Sequence, residues 1–139
     1  MLKTPFNRTV VLLVVAVASV MWARSALNAQ QTAPTVKRTV LQEHDLTIPG
    51  YQAVLVQVEI PVGGREGRHT HPGLALIRVE DGALTLDYEG KPTVTYKAGE
   101  SFVVEAGKVH EGINRGNAPV KAIAAFVIEK GKPLATQVK

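Results

Sequence analysis

The chain has 139 residues, with 16 basic and 12 acidic side chains, 12 glycines, 8 prolines and no cysteine. One domain is the most such a length holds, and a charged fraction of 20% excludes a disordered polyelectrolyte. Without cysteine there are no disulfide scaffolds, thiolate zinc sites, iron–sulfur clusters or thiol nucleophiles, which leaves histidine, carboxylates and hydroxyls to carry any chemistry.

The basic character sits at the start. Lys3 and Arg8 precede an uncharged apolar run from Val10 to Trp22, 13 residues long, against the roughly 20 that a spanning helix requires. A positive segment, an apolar segment and a small-residue exit at Leu27-Asn28-Ala29 read as a signal peptide over residues 1–29, cleaved after Ala29. The expected location is periplasmic or secreted, or, if the segment is retained, anchored to a membrane through residues 10–22. Cleavage removes Lys3, Arg8 and Arg24 and no acid, so 13 basic and 12 acidic residues stay, a net of +1. No clustered positive face survives for phosphate contacts, so nucleic acid is not an expected partner, nor is a membrane after cleavage.

Residues 30–50 read as an N-terminal arm leading into a first strand, residues 51–130 as the folded domain and residues 131–139 as a polar tail. Val54, Val56, Val58 and Ile60 alternate with Leu55, Gln57 and Glu59, and Leu84, Leu86 and Tyr88 repeat the period of two. Gly82, Gly90, Gly99, Gly107 and Gly116 follow at intervals of 8, 9, 8 and 9 residues, each enough for one short strand and a turn. Val120 to Ile128 supplies a last apolar strand. No segment after residue 30 has the apolar spacing of an amphipathic helix, so an all-β sandwich or barrel is expected.

Three of the four histidines form a pattern: His69-Thr70-His71, then His110 after the Ala106-Gly107 turn. Side chains two apart on a strand project to one side, so His69 and His71 present two imidazoles to one point, and His110 can reach it from another strand. Three imidazoles suffice to hold a divalent transition metal with a position left open. His44, in a polar stretch, is expected to be solvated.

Gly63, five residues before His69-Thr70-His71, with Gly82 closing the segment, resembles the first motif of the cupin family. Gly99, Gly107, His110 and Asn114 resemble the second in register. The resemblance spans roughly Val54 to Ile128 and implies a small antiparallel jelly-roll barrel with His69, His71 and His110 as ligands of Fe, Mn, Zn, Ni or Cu. Two positions depart from the pattern. The family's glutamate ligand belongs at position 75, where this chain has Ala75, and Glu105 replaces a proline.

With neutral imidazoles alone, a bound divalent ion keeps its full charge. Three-histidine iron sites resemble those of thiol dioxygenases within the wider family. The implied function is a small-molecule dioxygenase or related metalloenzyme, or else a non-catalytic module that binds a small molecule or metal; the resemblance also implies a homodimer.

Among carboxylates, Glu111 and Glu80 fall on the opposite strand face from the histidines, and only Glu66, in the Gly63–Gly67 loop, is free of that constraint. Arg65 and Arg68 are candidate anchors for an anionic substrate. Arg78 differs in parity from the histidine pair and is expected to face outward. The one serine beyond residue 29, Ser101, lacks a nucleophile elbow, and the Gly-Lys pairs lack the Ser or Thr of a phosphate loop.

Overall fold

The computed structural model describes residues 34–139, and the proposed signal peptide lies outside them. Ten strands follow in order: β1 (Lys37–Asp45), β2 (Tyr51–Ile60), β3 (His69–Thr70), β4 (Leu74–Asp81), β5 (Ala83–Tyr88), β6 (Val94–Lys97), β7 (Ser101–Val104), β8 (His110–Ile113), β9 (Val120–Glu129) and β10 (Thr136–Gln137). There is no helix among the described residues. Two five-stranded antiparallel sheets form, one ordered β1-β2-β9-β4-β7 and the other β10-β3-β8-β5-β6.

The alternation read from the sequence sorts residues between faces. Val54, Phe126, Ala75 and Val104 stand in one register row across β2, β9, β4 and β7, and all four are buried. Each larger apolar side chain buried this way contributes about 1.5–3 kcal/mol before entropy is subtracted. The adjacent row, Leu55, Ala125, Leu76 and Val103, points out of the sheet, and Leu76 and Val103 are largely exposed. Phe102, Val104 and Phe126 therefore line the interior, while Leu74 and Leu76 face outward.

Gly82 shows why glycine punctuates the chain. Its φ of 78° suits glycine, and a Cβ there would lie 2.7 Å from the Pro119 carbonyl oxygen. The C-terminal stretch does not trail as a polar tail. It folds back, β10 pairs with β3, and Leu134 and Ala135 reach the interior beside the histidines.

Candidate metal centre

His69, His71 and His110 converge. β3 and β8 are neighbours, with His69 and His110 directly opposite in register, and His71 follows two residues after His69 at the end of β3. The ring centroids are 4.3, 4.8 and 4.9 Å apart, and one nitrogen from each ring lies within 4.8 Å of the others. All three rings are buried.

Main-chain carbonyls set the orientation of each ring. Nδ1 of His69 lies 2.7 Å from the Gly67 oxygen, Nδ1 of His71 2.6 Å from the Leu134 oxygen, and Nδ1 of His110 3.0 Å from the Lys108 oxygen. A carbonyl oxygen only accepts, so each Nδ1–H donates, and the lone pair of each neutral ring is left on Nε2. Nε2 of His71 and Nε2 of His110 then face each other at 3.2 Å. Two nitrogens bound to one ion at about 2.0–2.1 Å stand roughly 3.0–3.4 Å apart, so the spacing suits a shared cation. Burial pushes the His71 and His110 imidazoles down to about 4, with the neighbouring rings adding to the effect and the Nδ1 hydrogen bonds opposing it. Both are neutral at pH 7, as metal ligation requires.

Position 75 supplies no fourth ligand. Ala75 is fully buried between its register partners Val104 and Phe126, and the Phe126 ring meets His71 edge-on at 4.9 Å. Glu105, at the turn before His110, is exposed and accepts a long hydrogen bond from Tyr88 at 3.4 Å. The turn's Gly107 N–H donates to the His71 carbonyl at 2.9 Å, which ties the second motif to the first. Asn114 is structural. Its amide nitrogen donates to the carbonyls of Ile60 and Ala118 at 2.9 Å each, and its side-chain oxygen accepts from Gly116.

Glu111 faces away from the histidines, as strand parity requires. It is buried under Arg65, which hydrogen-bonds both carboxylate oxygens and holds the carboxyl below its usual range. Glu80 and Arg78 pair on the surface, and His44 is exposed. The suggested anion anchors lie elsewhere: Arg65 is committed to Glu111 and Arg68 to Glu89, and neither lines the cavity in front of the histidines.

That cavity, of about 60 Å³, is walled by apolar side chains including Val56, Val58, Leu86, Phe102 and Phe126. Its charged lining residues are Arg38, from β1, and Glu66. Arg38 was not singled out by sequence, because it lies on a strand with no buried residue and reaches the cavity only through sheet topology.

A cupin-domain family model matches residues 56–126, a span that carries both histidine motifs. The chain belongs to the cupin family. Among curated relatives, the cupin is 36% identical over 77 residues to germin-like protein 1-1 of Oryza sativa subsp. japonica, covering 52% of this chain and 36% of the relative. It is 29% identical over 109 residues to germin-like protein 9-3 of the same plant, covering 73% of this chain and 51% of the relative. The chain thus spans about a third to a half of the length of these relatives.

Among solved structures, a conserved protein with a double-stranded β-helix domain from Klebsiella pneumoniae subsp. pneumoniae superposes with a TM-score of 0.61 at 21% identity, covering 78% of this chain and 89% of that one. An oxalate oxidase in complex with the substrate analogue glycolate gives 0.62 at 22% identity, covering 78% and 57%. At these identities the likeness is one of fold, and the fold hosts many chemistries.

Proposed function

We propose that this cupin is an exported mononuclear metalloprotein acting on a small molecule, with His69, His71 and His110 as the ligands of Fe, Mn, Zn, Ni or Cu. The observation that carries the reading is the orientation of the rings: three Nδ1–H groups are spent on backbone carbonyls, the Nε2 atoms of His71 and His110 face each other, and a nitrogen of His69 lies within 4.8 Å of both rings' ligand atoms. A divalent transition ion at that point supplies a Lewis acid and, where redox-active, the capacity for dioxygen chemistry. The protein contributes fixed ligands, an apolar wall that limits water, and the Arg38–Glu66 pair at the cavity lining. The family's activities include that of the oxalate oxidase it superposes on, which favours oxidative chemistry on a small substrate.

A second reading, a non-catalytic small-molecule or metal binding module, draws support from Ala75, since the site lacks any carboxylate ligand at that position. Oxygen uptake by iron-loaded protein against a panel of small organic substrates separates the two. Substrate-dependent consumption, lost in His110→Ala, supports the dioxygenase. Ligand binding without consumption or product supports the module.

The reading also includes a periplasmic or secreted location, supported by the composition of residues 1–29, and a homodimer. The dimer is supported by the outward apolar row of Leu55, Ala125, Leu76 and Val103, a face that a second copy would cover.

A further inference from the structure

We propose that Arg38 and the space beside Gly112 form a binding subsite for the carboxylate of a small organic acid, and that Glu66 fills this subsite in the ligand-free protein. Three observations lead there. First, Arg38 and Glu66 are the charged residues among the cavity's lining, and Arg38 Nη2 donates to Glu66 Oε1 at 2.8 Å. The pairing uses one carboxylate oxygen, whereas a guanidinium fork binds a carboxylate best through two parallel hydrogen bonds. An acid entering the cavity has a better partner geometry available to it than Glu66 uses.

Second, the other Glu66 oxygen occupies room that a side chain at position 112 would take. A Cβ on Gly112 would lie 2.4 Å from Glu66 Oε2. Gly112 lies within β8 and is not among the glycines with positive φ, so its backbone conformation does not call for glycine. What the missing side chain provides is space for a carboxylate inside the cavity.

Third, the size of the cavity limits the ligand. The cavity of about 60 Å³ is small, so it admits only a short acid. The acid's carboxylate replaces that of Glu66 on Arg38, its short body packs on the apolar wall, and its far end approaches the histidines. Only this last placement rests on the metal-centre reading.

The test uses the full chain after chelator treatment and calorimetric titration with propionate and with propionamide, two probes of nearly equal size. Wild type should prefer the acid about tenfold. Glu66→Gln, which removes the competing carboxylate, should bind propionate about fivefold more tightly or better. Arg38→Gln should bring the acid-to-amide ratio to about one. Equal binding of acid and amide in both wild type and Glu66→Gln would overturn the proposal, as would a preference that survives Arg38→Gln, or weaker propionate binding in Glu66→Gln. Because Glu66→Gln is expected to gain affinity, misfolding does not mimic success.

Metal retention by the same proteins, measured after metal loading and removal of excess and without chelator, separates this proposal from the one beneath it. Acid preference without metal retention supports the subsite and counts against the metal centre. Metal retention without acid preference overturns the subsite alone.

Discussion

His71 and His110 hold their Nε2 atoms 3.2 Å apart while the Nδ1–H of each is fixed on a main-chain carbonyl, that of Leu134 for one and that of Lys108 for the other. Two lone pairs at that distance repel unless a cation stands between them. Burial disfavours a proton there, so the arrangement is one that a metal ion stabilises. The Leu134 carbonyl comes from the C-terminal stretch, so residues near the end of the chain help orient a histidine near its middle.

The metal-free protein should lose stability in acid over a definable range. His71 and His110 titrate near 4 when folded and near their ordinary 6.5 when unfolded, so between those values the unfolded chain binds more protons. Stability is therefore full above about 6.5 and falls as pH drops toward 4. Glu111, held low by Arg65, adds its own loss only below the ordinary carboxylate range. Thermal unfolding from pH 7 to pH 4 should show the first loss in wild type and a smaller one in His71→Phe.

Ala75→Glu should restore a carboxylate ligand and tighten metal retention. The position is fully buried, so the metal-free variant carries an unpaired acid at a cost of about several kcal/mol. The difference in Tm between metal-loaded and metal-free protein should therefore exceed that of wild type. An unchanged difference would mean that a side chain at position 75 does not reach the ion.

Asn114→Ala should weaken the fold without changing the ligand set. The amide bonds two carbonyls and receives one N–H while fully buried, so its loss orphans several groups and should cost about 2–4 kcal/mol. Denaturant unfolding measures the loss, and metal stoichiometry at low temperature should stay as in wild type.

Leu76→Glu tests the dimer. A charge in the centre of the outward apolar row should shift sedimentation from dimer to monomer and leave metal content intact. A wild-type protein that sediments as a monomer at micromolar concentration would contradict the expectation.

Much of this is legible in the sequence. The alternation from Val54 to Ile60 and the glycine spacing specify short strands because burial on one face and turns with positive φ leave local marks. His69 and His71 were legible because strand parity is local, and the same parity correctly turned Glu111 and Arg78 away. Arg38 was not legible. It lies far upstream of His69 and arrives through the pairing of β1 with β2, a long-range relation that periodicity does not encode. Arg65 and Arg68 mislead for the complementary reason: they neighbour the histidines in sequence, but the loop turns them to Glu111 and Glu89. The polar composition of the last residues likewise hid Leu134, one apolar residue whose carbonyl and side chain both serve the site.

The most direct measurement is metal per chain by elemental analysis, for wild type and His71→Ala, after incubation with each of Fe, Mn, Zn, Ni and Cu and removal of excess. About one ion per chain in wild type, with most of it lost in the variant, is the expected result. Wild type that retains none of the five, or a variant that retains as much as wild type, would contradict a metal centre built on these three histidines.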